Sequence, residues 1–299
     1  MDKLAEREAA APRPLVGAPA LAVQFFLIPL AVVALTILVY AGFRTLLNDD
    51  RSVQDYLTEI RTGGDDRRWP AAYELSRLMA DPSVRSDTTV GPAVVAAFEK
   101  SKGDDPRVRR YLALAIGRLD APRPANAVPM LIDALDEPDN EMRINVMWAL
   151  GSLGDETATP KLQDMYASTD PGVRKMSVYA LGALPGSAQL PTLETALNDP
   201  AVDVQWNAAV ALARHGSRVG APVLRRMLDR AYVQNVVKRP NSPTDDIDPI
   251  GEVMVSSLQA ASTLKDPSLR DVIRQVSEQD PNLRVRQAAM ETLKILEST

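Results

Sequence analysis

The sequence predicts an all-α chain: a right-handed α-solenoid of about seven helix pairs, preceded by a single transmembrane helix. Two observations carry this. Arg-Ile-Asn-Val-Met-Trp-Ala-Leu-Gly at 143–151 returns 31 residues later as Arg-Lys-Met-Ser-Val-Tyr-Ala-Leu-Gly at 174–182. Self-similarity at a fixed period of this size marks a stacked helical array. Ahead of the array, no residue from Pro14 to Phe43 carries a charge.

Residues 1–19 are charged and then rich in Ala and Pro, with no periodic apolar face, and read as a mobile tail. Residues 20–43 would span about 36 Å as a helix, enough for the ~30 Å hydrocarbon layer. Gln24 and Thr36 are its clearly polar side chains, and Tyr40 and Arg44 stand where an interfacial aromatic and a cation belong. A cleaved signal peptide fits less well. The apolar run exceeds the usual length, and three acids balance three bases in front of it. Lys3, Arg7 and Arg13 before the helix nearly match Arg44, Arg51 and Arg61 after it, so charge leaves orientation close to a tie. The absence of cysteine tilts the expectation toward repeats on the outer, periplasmic side of a bacterial inner membrane.

The array is expected over residues 52–297. Ser52 can cap a short helix carrying Val53, Tyr56, Leu57 and Ile60 on one face. Further pairs follow, most of them divided by an Asp-Pro or Glu-Pro turn: 105–106, 137–138, 170–171, 199–200 and 280–281. Aspartate before a helix can accept from the orphan N–H groups of the first turn, and proline at the first helical position loses no bond. The small Ala-Leu-Gly run lets helices approach, and its glycine can close the helix. Second helices are marked by Arg68, Arg109, Arg143, Arg174, Gln205, Ser257 and Arg286, at intervals of 41, 34, 31, 31, 52 and 29. The long interval locates an insertion at about 233–250, rich in Pro and Asp.

Composition removes several functions. A net charge of −5 gives no dense basic face for nucleic acid. No cysteine means no disulfide, thiolate metal site or cysteine nucleophile, and one histidine, His215, cannot build a histidine-rich metal or acid–base site. No cofactor and no metal are expected. His215 reads as a helix-end cation. Asp245, Asp246 and Asp248 lack the glycine and terminal glutamate of a calcium loop.

The Asp-Pro-x-Val-Arg and Ala-Leu-Gly-x-Leu-Gly-Asp frame, with its period near 31, resembles the HEAT-like repeats of the bilin (phycobilisome) lyase type over residues 52–297. That family ranges from bilin lyases to adaptors, a DNA-repair glycosylase and an iron-dependent hydroxylase. The resemblance therefore implies an architecture, with a non-enzymatic scaffold or adaptor as the leading function and a bilin-lyase-like enzyme or cofactor carrier as the alternative. The hydroxylase would need His-Glu pairs and the glycosylase a basic face, and neither is available here.

Second helices generally line the concave side of such arrays. On that face the frame places Tyr73, Trp148 and Tyr179, and one turn earlier Tyr111, Asn145, Met176 and Asn207. Large amphipathic side chains mixed with Asn suit a protein partner, such as another subunit of a membrane complex. Arg68, Arg109, Arg143, Arg174, Gln205 and Arg286 are expected to form a structural ladder reaching turn carboxylates or carbonyls. Trp69 and Trp206, one position past the frame, are expected to pack between repeats.

Overall fold

The computed structural model describes residues 28–47, 51–237 and 248–298. They fall into two compact units, Met1–Arg51 and Ser52–Thr299.

The first unit contributes one described helix, α1 (Ile28–Leu47). Its apolar side chains from Ile28 to Tyr40 are exposed. Thr36 turns its hydroxyl back onto the Val32 carbonyl at 2.8 Å, which leaves no unpaired polar group at that point of the apolar surface. The expected tail at 1–19 and the first part of the expected span at 20–43 lie outside the described residues. Among the described residues no helix is long and apolar enough to cross a membrane.

The second unit is a two-layer array of helix pairs. The pairs are α2 (Val53–Thr62) with α3 (Asp65–Leu78), α5 (Val90–Lys100) with α6 (Pro106–Ile116), and α7 (Ala127–Ala134) with α8 (Asn140–Leu153). There follow α9 (Thr159–Tyr166) with α10 (Pro171–Ala183), α11 (Leu190–Ala196) with α12 (Val202–Arg214), α13 (Ala221–Met227) with α15 (Pro249–Leu264), and α16 (Arg270–Gln279) with α17 (Leu283–Glu297). Two short helices stand outside this scheme, α4 (Pro82–Arg85) and α14 (Arg230–Val236).

The first helices have only 7 to 11 residues, too few to persist alone, so packing holds them. Leu131, Leu162, Leu193 and Leu224 recur every 31 residues along them and are all fully buried. Each adds about 2 kcal/mol of apolar transfer. Second helices stack on one another through their smallest residues. A Cβ on Gly117 would lie 2.6 Å from Ala149 Cα, one on Gly151 3.0 Å from Ala180 Cα, and one on Gly182 2.4 Å from Ala211 Cβ. Consecutive second helices lie along one another, whereas consecutive first helices, α2 and α5 apart, barely meet. The tighter spacing bends the array toward the second-helix layer, which is its concave side.

The local devices differ in part from expectation. Asp105 and Asp170 cap α6 and α10 with Pro106 and Pro171 in the first turn, as Asp81 and Asp248 do for α4 and α15. At Asp199-Pro200 and Asp280-Pro281 the helix starts two residues later. These two aspartates are buried and each is gripped by an arginine, Arg174 and Arg230. They still accept from Ala201 N at 2.8 Å and Asn282 N at 2.9 Å, which folds the turn ahead of the helix. Gly151 and Gly182 lie inside their helices and do not close them; Gly154, with φ +66°, closes α8. Of the expected insertion at 233–250, residues 233–236 complete α14 and 249–250 open α15, while 238–247 lie outside the described residues.

Candidate partner-binding face

A common hydrogen bond sets the register of each pair. The residue at the marker position of the second helix donates to a carbonyl at the end of the first helix or in the turn. Arg68 Nε reaches Ile60 O at 2.8 Å, Arg109 Nη1 reaches Phe98 O at 2.6 Å, and Arg143 Nε reaches Leu135 O at 3.2 Å. Arg174 Nη1 reaches Ser168 O at 3.1 Å, Gln205 Nε2 reaches Asp199 O at 2.7 Å, Ser257 Oγ reaches Leu224 O at 2.8 Å, and Arg286 Nη1 reaches Asp280 O at 2.7 Å. Such carbonyls, in the last turn of the first helix or in the turn after it, lack an intrahelical donor, and the marker side chain supplies one. The guanidinium at three of these markers also pairs with an acid in the next turn: Arg68 with Asp104, Arg109 with Glu137 at 2.7 Å, and Arg174 with Asp199 through two bonds of 2.9 Å.

Where the marker is Ser257, the guanidinium comes from elsewhere. Arg230, at the start of α14, bonds both Asp280 oxygens at 2.8 and 2.7 Å and lies 3.4 Å from Asp248 Oδ2. It joins the starts of three elements around the insertion. Nothing periodic in the sequence singles out Arg230, so reading by repeat misses it.

Burial pushes the Asp199 carboxyl up, but Arg174, the Ala201 N–H and the Tyr166 hydroxyl hold it below the usual carboxylate range. Burial acts the same way on Asp248, and Asn282, the Gly251 N–H and Arg230 outweigh it. Both groups are structural.

On the concave layer all seven expected contact residues, Tyr73, Tyr111, Asn145, Trp148, Met176, Tyr179 and Asn207, are exposed or half-buried. Tyr73 and Tyr111 meet edge to face with ring centres 5.2 Å apart, which joins the first two pairs. Arg118 lies over Trp148 at 5.8 Å while donating to the Ser76 carbonyl. Asn145 and Asn207 each donate one turn back, to Glu141 O at 2.9 Å and Asp203 O at 2.8 Å. Tyr111, Trp148 and Met176 also pack on the core, so each serves the fold as well as the surface.

Tyr179 and Asn207 meet at a groove of about 310 Å³ between α12 and α15, which is lined further by Trp206, Val210, Arg214 and Val253. Trp206 is buried as expected, yet its ring lines this groove and its Nε1 has no hydrogen-bond partner. Among the described residues no cluster of three or more His, Asp or Glu is placed to hold a metal.

HEAT repeats match over residues 92–182 and 165–239. Residues 92–239 of the chain are thus HEAT repeats. Its HEAT array is similar in fold to a chain from the complex of CpcE and CpcF of phycocyanin lyase from Nostoc sp. PCC7120. The identity is 19%, 84% of this chain and 96% of that chain are covered, and the TM-score is 0.54. It is also similar to the archaeal HEAT-like repeats protein from Thermococcus onnurineus NA1, at 14% identity over 84% of this chain and 99% of the other, with a TM-score of 0.45. No curated protein matches the chain in sequence.

Proposed function

We propose that the protein is a membrane-anchored, non-enzymatic scaffold whose concave HEAT face binds a protein partner within a larger membrane complex. The observation that carries this reading is the stripe Tyr73, Tyr111, Asn145, Trp148, Met176, Tyr179 and Asn207. Its members stay exposed or half-buried on the layer whose helices approach one another through alanine and glycine. Aromatic anchors with neighbouring polar groups are what protein interfaces use as centres of binding energy. The anchor rests on the uncharged run from Ala20 to Phe43 and on the exposed apolar side chains of α1, a surface that calls for lipid or another helix as its cover. We assign it to a bacterial inner membrane with the repeats on the periplasmic side. The lyase neighbour is itself described in a two-protein complex, and assembly through a partner chain is the use of the fold adopted here.

Two measurements test this. The Trp148→Ala, Tyr179→Ala double variant is expected to lose a partner cross-linked to the wild type in native membranes, with its helical circular dichroism retained and its melting lowered only by the lost core packing of Trp148. Unfolding of that variant would make both residues packing residues. Because the chain has no cysteine, Ser242→Cys offers a single thiol, and a membrane-impermeant maleimide should label it in intact cells with a permeabilised outer membrane. Labelling only after lysis would put the repeats in the cytosol.

A further inference from the structure

The cleft between α2 and α5, at the start of the array, carries an excess of positive charge although the chain as a whole is acidic. Alanine at 93, 96 and 97 gives α5 its shortest side chains where it faces α2, and a space of about 510 Å³ remains between the two helices. Gln54, Thr58 and Arg61 stand at i, i+4 and i+7 and so share one face of α2 along this space. Lys100 lines it from the last turn of α5. All four side chains are exposed, and none has a hydrogen bond or ion pair among the described residues. The acid that lines the cleft, Asp104, is held through both oxygens by Arg68. Ser101 is buried and donates its hydroxyl to Phe98 O at 2.8 Å. The Arg68–Asp104 pair is neutral in sum, so Arg61 and Lys100 leave two uncompensated positive charges, with an amide and a hydroxyl donor beside them.

We propose that this cleft binds a phosphate group. Arg61 and Lys100 pair with its charge, Gln54 and Thr58 donate to its remaining oxygens, and Leu57 with the alanines of α5 faces the carbon skeleton attached to it. A carboxylate offers two oxygens in one plane. A phosphate offers oxygens in every direction, which suits donors that arrive from two helices, and its bonds to a guanidinium and an ammonium are charge-assisted. In sequence α2 follows α1 after five residues, 48–52. On the membrane-anchored reading the phosphate is therefore that of an anionic lipid headgroup, which juxtamembrane cations attract. The source of the phosphate rests on that reading; the chemistry of the cleft does not.

The test uses the full chain in a phosphate-free, non-ionic detergent. It reads by mass spectrometry the rate at which an N-hydroxysuccinimide ester acetylates the Lys100 amine, with the exposed Lys102 as internal reference. Two probes are added separately: inorganic phosphate, and phosphatidylglycerol in mixed micelles, with uncharged diacylglycerol as the lipid control. An occupied cleft should slow Lys100 at least tenfold against Lys102. Protection by phosphatidylglycerol supports the headgroup as source, and protection by inorganic phosphate alone supports the site with a soluble phosphate as its ligand. Protection should disappear in Arg61→Gln, which removes a pairing charge at an exposed position, and in Ala96→Leu, which fills the cleft without altering charge. It should persist in the Trp148→Ala, Tyr179→Ala variant, so failure here and failure of the concave-face reading are told apart. Protection that survives Ala96→Leu would reduce the effect to diffuse attraction by a basic surface and overturn the proposal. Equal acetylation of Lys100 with and without both probes would overturn it as well.

Discussion

Gln189 Nε2 and His215 Nε2 lie 3.3 Å apart in the turns that join successive HEAT pairs. Gln189 is fully buried, and the same amide nitrogen donates toward the carbonyls of Leu184, Pro185 and Gly186 at 3.1–3.2 Å. Three backbone acceptors fix that atom as nitrogen, and in a neutral ring the Nδ1–H tautomer of His215 turns an Nε2 lone pair toward it. Sequence reasoning gave His215 the role of a helix-end cation. His215 does stand at the end of α12, as its C-cap, and there its Nε2 also faces Gln189 in the turn ahead of α11. Because it is the single histidine of the chain, ¹⁵N imidazole spectra of the folded protein are unambiguous. They should show the Nδ1–H tautomer in the neutral ring, and an Nε2–H tautomer would contradict the assignment.

Replacing the buried glycines of the second-helix layer should destabilise the array in a definite order. In Gly182→Ala the new methyl would meet Ala211 Cβ at 2.4 Å, and in Gly117→Ala it would meet Ala149 Cα at 2.6 Å. Real Cβ atoms do not approach so closely, so the helices must part, at a cost of about 1–3 kcal/mol. Gly151→Ala, with Ala180 Cα at 3.0 Å, should cost less. Urea midpoints of the three variants give the order directly, and equal midpoints would contradict it.

Much of the architecture is legible in the sequence because its devices are local and periodic. The buried leucines at 131, 162, 193 and 224, the Asp-Pro turns and the Ala-Leu-Gly runs each announce a helix by its spacing alone. So do the marker arginines, whose partners lie in the same or the next turn. Less legible is whatever depends on a choice between two partners. Asp199 and Asp280 look like helix caps in sequence, but each is captured by an arginine 25 or 50 residues earlier, and the helix begins beyond it. The aromatic stripe follows from the repeat frame. The groove at Trp206 does not, because it lies between α12 and α15, whose markers Gln205 and Ser257 stand 52 residues apart and break the period.

Acid should weaken the array through its capping and bridging aspartates. Asp170 lies below the usual carboxylate range because the Val173 and Gly172 N–H groups bond its charged form, with further help from Asn140 and Arg174. Asp199 and Asp248 are also lowered, their partners outweighing burial. A carboxyl lowered in the folded state stabilises it fully above the unfolded value of about 3.9, and that contribution is lost as pH falls through the folded value. Stability should therefore be flat near neutrality and decline below about pH 4. Asp199→Asn should be less stable than wild type at pH 7 and show a shallower decline. A wild-type urea midpoint unchanged down to pH 2.5 would contradict the linkage.

Arg230 should control the C-terminal repeats alone. The Asp280 side chain is 3% exposed and its two oxygens are held by this one guanidinium. Removing the cation leaves a buried carboxylate uncompensated, which costs about 3–5 kcal/mol. In an array whose units touch only their neighbours the loss stays local. Hydrogen exchange in Arg230→Met should accelerate in α15, α16 and α17 and remain unchanged in α3 to α10. The double variant Arg230→Met, Asp280→Leu replaces the pair by apolar side chains of similar volume and should regain most of the protection, because the stranded charge is gone. Uniform acceleration over the whole array would mean that Arg230 acts through global cooperativity. Absence of rescue would mean that the hydrogen bond the Asn282 N–H donates to Asp280, at 2.9 Å, matters more than the ion pair.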